Sequence, residues 1–337
     1  MTTRTSFENL DNKVENLIQQ SSVTDAIRSL VRRKWRELRS QRLNVMVTGA
    51  TGSGKSSTIN AMFNMGAAKV VEVAAVGTGP DPETMDIVKY EIGNLTLWDS
   101  PGLGDGREAD IRHARNIIDK LNERDADGNY LIDLVLVVID GSSRDLGTSF
   151  ELINNVIIPN LGENKEQRIL VAVNQADAAM GGRHWNFEEN RPDAALEDYL
   201  DKMCESVRRR IQEGTGVDIT PIYYAAGYKE EGGEQERPYN LTKLLCFILE
   251  HIPARKRLVA AMNANRQPEV WQDNDSREYS QKCQRLTVEG VMSYMTVGAG
   301  LGVTLGSLVP GIGTAVGTAV GTIVGGVIGV FASIFGW

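Results

Sequence analysis

The stretch Leu43-Asn44-Val45-Met46-Val47-Thr48-Gly49-Ala50-Thr51-Gly52-Ser53-Gly54-Lys55-Ser56 sets a short apolar run directly before a glycine-rich one. Leu43 to Thr48 reads as a buried strand, and Ser57 to Phe63 as the opening of a helix. Between them, Gly49 to Ser56 fits G-x-x-x-x-G-K-[ST] at every fixed position, in the strand–loop–helix setting that the motif requires. Gly49, Gly52 and Gly54 allow the loop, which also carries Thr51, Ser53 and, at its end, Ser57, to turn successive N–H groups inward around phosphate oxygens. The helix N-terminus adds positive potential at the same place. Lys55 is expected to reach the β- and γ-phosphates and the Ser56 hydroxyl to hold Mg²⁺. The plain alternative is a glycine-rich turn with a chance lysine, and the flanking strand and helix weigh against it.

Outward from this loop, strands and helices alternate. Ile87 to Ile92 and Leu95 to Trp98 read as a hairpin joined at Gly93-Asn94. Residues 109 to 122 read as a helix. Ile132 to Ile139 is the most hydrophobic strand, apolar at every position from Leu134, as a strand buried on both faces must be. Helix 147–157, strand Arg168 to Val173, helix 193–213, strand Ile219 to Tyr224 and helix 239–252 follow. The pattern predicts an α/β fold: a doubly wound, mostly parallel sheet covered by helices. The expected division is an N-terminal helical segment over 1–42, the nucleotide domain over 43–253, a helical connector over 254–289, and a glycine-rich hydrophobic hairpin over 290–337.

Four further features choose among nucleotides. Asp99-Ser100-Pro101-Gly102 ends a strand, so Asp99 can join a Mg²⁺ shell and the Gly102 N–H can meet a γ-phosphate. Asn174-Gln175-Ala176-Asp177 ends another. There Asn174 can brace the phosphate loop, and the Asp177 carboxylate can accept from guanine N1 and N2, which adenine does not offer as donors. Ala225-Ala226-Gly227 ends the last strand, where a backbone N–H can meet guanine O6. Thr84, abutting the second strand, is the expected threonine for the Mg²⁺ shell and γ-phosphate, with Thr78 as its rival. Together these point to GTP or GDP with Mg²⁺, and Lys55, Thr84 and Gly102 are the residues expected to act in hydrolysis. His184, in Gly182-Arg183-His184-Trp185, has no sequence neighbour to make it a ligand or base.

This ordered set, over roughly residues 43 to 252, resembles the translation-factor class of P-loop GTPases, its Era-like branch in particular. It is similar to bacterial GTPases of the 50S ribosome-binding type. Gln175 departs from the N-K-x-D form of that family, standing where a lysine stacks on the base, while Asp177 keeps the specificity element. Leu103 stands where many small GTPases have, at or near this position, a glutamine that orients the attacking water. The resemblance therefore implies a GTP-hydrolysing enzyme that is slow or stimulated by a partner or by self-association. Gly104 to Gly106 suggest a loop that follows the γ-phosphate, and Arg107 reads as a solvated loop arginine or as a charge-stabilising finger.

The net charge of −8 argues against nucleic acid as a partner. The cysteines Cys204, Cys246 and Cys283 form no ligand-like cluster and read as free thiols in a cytoplasmic setting. No residue from Gly290 to Trp337 is charged. Gly313, Gly317, Gly321, Gly325 and Gly329 recur every four residues, as do Gly298, Gly302 and Gly306, which on a helix gathers them on one face. Such a face lets helices approach closely in lipid, and Pro310-Gly311 suits a hairpin turn. A lipid bilayer, reached through 290–337, and homo-oligomers are the expected partners, and the tail resembles those of dynamin-like and immunity-related GTPases. A glycine-rich hairpin buried in a soluble domain or oligomer is the other reading, and a hairpin released in one nucleotide state a third. The basic run from Arg28 to Arg42 suits an anionic membrane surface or a solvated face. A nucleotide-dependent switch is the leading function; a GTP-gated effector that perforates or remodels the bilayer and a ribosome-assembly GTPase are the alternatives. No KH-type G-x-x-G segment after residue 252 supports the last.

Overall fold

The computed structural model describes residues 11–12, 14–16, 18–19, 25–72, 87–104, 106–227, 237–271 and 276–296, with 321, 324–325 and 328–329. A seven-stranded sheet forms its centre. In chain order its strands are β1 (Leu43–Gly49), β2 (Lys69–Glu72), β3 (Val88–Ile92), β4 (Leu95–Asp99), β5 (Leu134–Asp140), β6 (Ile169–Asn174) and, after a small separate hairpin of β7 (Trp185–Asn186) and β8 (Arg191–Pro192), β9 (Ile222–Tyr223). The spatial order is β2-β3-β4-β1-β5-β6-β9. β3 pairs antiparallel with β2 on one side and with β4 on the other, and every other pairing in this sheet is parallel. The doubly wound, mostly parallel sheet is therefore present, with an antiparallel edge.

The order places β1 between β4 and β5, with Val47 opposite Asp99 on one side and Leu136 on the other. The chain leaves β1 toward one neighbour and returns beside the other. This is the crevice at the carboxyl ends of the strands where doubly wound sheets take ligands. β1, β5 and β6 are apolar on both faces because both faces are covered.

The strand pleat divides the core in two. Val45, Val47, Leu134 and Leu136 face one layer, packed by α1 (Asp25–Arg39), α2 (Lys55–Met62) and three later helices, α6 (Leu241–His251), α7 (Arg257–Met262) and α8 (Ser276–Thr296). Met46, Val135, Val137 and Ile139 face the other. It is packed by α3 (Arg107–Asn122), by α4 (Gly147–Glu151) with its π-helical continuation Leu152–Ile157, and by α5 (Ala194–Thr215). Asp193 starts α5 by accepting from Ala195 N and Leu196 N at 2.9 and 3.0 Å, and Gly216, at φ 74°, ends it.

Residues 254–271 and 276–296 lie against the same core as β1. Leu258 through Met262, Val270, Trp271 and Cys283 are buried there. Gly290 meets the 254–256 turn so closely that a Cβ would lie 2.3 Å from Ala254 O. Four of the seven cations of the basic run are paired: Arg28 with Asp25, Arg32 with Glu15, Arg33 with Glu37 and Arg39 with Asp11. Lys34 lies 4.9 Å from the centre of the Tyr294 ring. Among the described residues, no helix is long and apolar enough to cross a membrane. The expected span and most of the tail glycines lie outside the described residues, as do Thr78 and Thr84.

Candidate functional site

The phosphate loop closes over the end of β1 with little room for side chains. Gly49 and Gly54 adopt φ of 152° and 87°. A Cβ on the first would lie 2.1 Å from Val138 O, and on the second 2.2 Å from Asn174 Nδ2. Each glycine is therefore demanded by a close approach as well as by its backbone. Thr58 anchors the start of α2, its N–H and its Oγ1 both donating to Gly54 O, at 2.9 and 2.8 Å. Lys55 Nζ donates to Gly49 O and Ala50 O at 3.3 and 3.0 Å, so the ammonium lies folded over the loop it is expected to serve.

Ser56 Oγ donates to Asp99 Oδ2 at 3.3 Å. The other oxygen, Asp99 Oδ1, is buried without a hydrogen-bond partner among the described residues. Burial raises the Asp99 carboxyl pKa, against the pull of Lys55 and Ser56. A buried, unsatisfied carboxylate oxygen beside a hydroxyl is an all-oxygen donor set of the kind a hard divalent cation prefers. The residues present fit Mg²⁺.

Gly102 lies flat against the loop, where a Cβ would stand 2.3 Å from Thr51 Oγ1 and 2.6 Å from Thr51 N. Thr51 N donates to Leu103 O at 2.9 Å. Leu103 is also buried in the second core layer, so it fixes this segment by packing and backbone bonding.

Asn174 bridges the two halves of the site. Its Nδ2 donates to Ser53 O, and its Oδ1 accepts from Ala226 N, each at 3.0 Å. Gln175, in a left-handed conformation at φ 59°, reaches the loop as well: Nε2 donates to Gly52 O at 2.8 Å, and Oε1 accepts from Ser142 Oγ at 3.3 Å. The neutral amide thus spans from the phosphate loop to the end of β5. Asp177 is half-buried, and burial raises its pKa. Ala225 and Ala226 are beside Asn174, but their amides are engaged, Ala225 N to Tyr239 O at 3.0 Å and Ala226 N to Asn174 Oδ1.

Several residues of this site carry no motif. His113 of α3 is buried and donates from Nδ1 to Gly102 O at 3.0 Å. Tyr224 OH lies 2.6 Å from Thr58 Oγ1, tying the last strand to α2. Asp110 Oδ1 accepts from Gly104 N at 2.8 Å. His113 stands four residues before Ile117 and eight before Leu121 on one buried face. A polar ring on an apolar stripe was the available signal. His184 does have a partner, Asp193 Oδ2 at 2.8 Å from Nδ1, on the exposed β7–β8 side.

A glycine cradle at a helix start, a buried carboxylate beside a hydroxyl, and an amide bridge to a second loop form a site for a nucleoside triphosphate. Residues 7–120 match the interferon-inducible GTPase (IIGP) family. Interferon-gamma-inducible GTPase 10 of Mus musculus is 34% identical over 254 residues, 75% of this chain and 53% of that protein. The uncharacterized protein YfjP of Escherichia coli is 29% identical over 133 residues, 40% of this chain and 41% of that protein. The chain thus spans about half the length, or less, of these relatives. Among solved structures, Toc33 from Arabidopsis thaliana in complex with Mg²⁺ and GMPPNP is 17% identical, with a TM-score of 0.38 over 65% of this chain and 87% of that one. The sequence matches make the chain similar to interferon-inducible GTPases and do not specifically support the Era-like, translation-factor placement.

Proposed function

We propose that this chain binds GTP and hydrolyses it to GDP and phosphate, working as a nucleotide-dependent switch. The observation that carries this reading is the Asn174 bridge from Ser53 O to Ala226 N, with Asp177 three residues beyond it. One side chain thereby draws the phosphate loop and the base loop together. Asp177 accepts from guanine N1 and N2. Because it is already half desolvated, sealing it under the base costs less than sealing a hydrated carboxylate. With the Ala225 and Ala226 amides engaged, Gly227 is the next backbone donor in line for guanine O6.

In hydrolysis, the oxygen of a water molecule forms a bond to the γ-phosphorus as the bond to the β–γ bridging oxygen breaks, and the water proton leaves with the phosphate product. Lys55 exchanges its two loop carbonyls for β- and γ-oxygens, and Gly102 offers its N–H to the γ-phosphate. Ser56 and Asp99 would hold Mg²⁺, which would supply stabilisation of the charge that builds on the phosphate oxygens. Thr84, as the switch threonine, would complete the same shell. Leu103 is buried and has no polar atom in its side chain to align the water. Turnover is therefore slow until a partner or a second copy supplies the missing group.

The test is competition for the site with Mg²⁺ present. GTP and GDP are expected to displace a fluorescent guanine nucleotide far better than ATP, and equal displacement by ATP would overturn the assignment. Ser56→Ala is expected to reduce the Mg²⁺-dependent gain in GTP affinity about tenfold, the loss of one ligand to the cation. An unchanged Mg²⁺ dependence counts against Ser56 as that ligand.

The output of the switch is assigned to the tail beyond α8, residues 297–337, which associates with a lipid bilayer and pairs there through its four-residue glycine spacing; residues 290–296, expected to belong to that tail, are the packed end of α8. The pairing of Arg28, Arg32 and Arg39 with acids leaves the tail, and not the basic helix, as the main membrane element. Full-length protein is expected to float with liposomes, and the 1–296 truncation, which keeps α8 whole, is not. Gly321→Leu is expected to keep flotation and lose crosslinked oligomers, because the side chain fills the helix contact groove. Failure of the wild type to float with either GTP or GDP would overturn this role. Release of trapped dye on adding GTP would make the same protein a perforating effector.

A further inference from the structure

We infer that His113 is a positioning residue for the γ-phosphate contact, holding Gly102 in place and linking it to α3. The inference rests on the GTPase reading and adds to it a residue that no motif contains.

His113 is 4% exposed, on the face of α3 that also carries Ile117 and Leu121. A polar ring in such a place needs a partner, and it has one in Gly102 O at 3.0 Å. The carbonyl can only accept, so Nδ1 carries the proton. The same peptide unit is held from its other side, where Leu103 N donates to Gly49 O at 3.4 Å. The Gly102–Leu103 peptide is thus fixed at its oxygen by α3 and at its nitrogen by the phosphate loop. Turning it would break both bonds.

Gly102 has little freedom left. It is pressed against Thr51, and its forward peptide is held at both its oxygen and its nitrogen, which restrains the residue that carries the N–H. The following residue pair repeats the attachment: Thr51 N holds Leu103 O, and Asp110 of α3 holds Gly104 N. Two residues of α3, His113 and Asp110, therefore grip the segment that meets the γ-phosphate. A shift of Gly102 on gaining or losing that phosphate moves α3 with it. The β-phosphate, cradled by residues 49–56, does not depend on this grip. His113 should accordingly matter for the triphosphate and not for the diphosphate.

The experiment measures the affinities of full-length protein for GDP and for GMPPNP with Mg²⁺. His113→Leu removes the donor and keeps an apolar side chain of similar size, while His113→Asn keeps a donor near the position of Nδ1. His113→Leu is expected to weaken GMPPNP binding up to about tenfold, the upper range for one hydrogen bond, and to leave GDP within about twofold. His113→Asn is expected to recover most of the loss. A structural role alone would weaken both nucleotides together and lower Tm, with asparagine no better than leucine; that result overturns the inference. So does a GMPPNP-to-GDP ratio that stays within about twofold in His113→Leu. If the leucine variant does not fold, His113→Phe against His113→Asn makes the same comparison. Wild-type protein that binds neither nucleotide would sink the GTPase reading, whereas wild type that discriminates alongside an unchanged variant sinks only the role of His113.

Discussion

Asp177→Asn is expected to lower the affinity for GDP by about 100- to 1000-fold and to raise that for xanthosine diphosphate above it. A carboxylate that accepts from both guanine N1 and N2 makes two charge-assisted hydrogen bonds, each worth about 1.5–3 kcal/mol. Asparagine presents one acceptor and turns an N–H toward a donor on the base. Xanthine places an oxygen where guanine has its amino group, and the asparagine amide then finds an acceptor. Asp177 is half-buried, which strengthens the contrast, since water cannot fill in for the lost bonds. Titration of both nucleotides against wild type and variant measures the change. A GDP affinity that survives the substitution would show that the base is read elsewhere.

Lys256→Met is expected to cost about 3–5 kcal/mol of folding stability, because it strands a buried carboxylate. Lys256 Nζ donates to both oxygens of Asp133 at 2.7 and 2.8 Å, and the side chains are 14% and 9% exposed. Asp133 also accepts from Asn44 N at 2.9 Å, so the pair pins the start of β1. Burial raises the Asp133 carboxyl pKa even with Lys256 beside it. A carboxyl whose pKa is raised by folding favours the folded state in its protonated form. That contribution is complete below the ordinary carboxylate range and fades as pH rises through the raised value. Without Lys256 the pKa rises further. The deficit of Lys256→Met should thus be largest near neutral pH and shrink on acidification. Asp133→Asn in the same chain should restore part of the loss, its amide oxygen still accepting from Asn44 N. Chemical denaturation of the three variants at two pH values is the measurement, and a Lys256→Met curve that overlays wild type at neutral pH would refute the account.

The parts of this molecule that sequence patterns disclose are those whose causes are local. β1, β5 and β6 announce themselves because a strand buried on both faces must be apolar throughout. The phosphate loop does so because eight consecutive residues carry the whole constraint. The last strand is less legible. Ile219 to Tyr224 is apolar enough for six residues, but β9 is only Ile222–Tyr223, since it pairs on one side alone, with β6. β2, at the far edge, consists of Lys69-Val70-Val71-Glu72 and gives no run long enough to recognise. The same division holds at the site. Asn174 and Asp177 lie in one short motif. Ser142 and Tyr224 act on Gln175 and Thr58, 33 and 166 positions away, and the spacing of the residues they touch says nothing of them in advance. The engagement of the Ala225 amide is likewise invisible, because its partner, Tyr239, lies across a segment of changing character.

The meeting of α1 and α8 has a mechanical consequence. Tyr294 Oη donates to Glu37 Oε2 at 3.2 Å across 257 positions of chain, and Lys34 covers the same ring. α8 also lies against α6 and the 254–256 turn, locked by the absent side chain of Gly290. A pull on residues beyond 296 is therefore not met by a single helix that peels away turn by turn. It loads a shear plane shared by α1, α6 and the turn, whose contacts must give way nearly together. Tension on the tail is in this way carried into the layer beneath β1, and the strand that ends in the phosphate loop feels it.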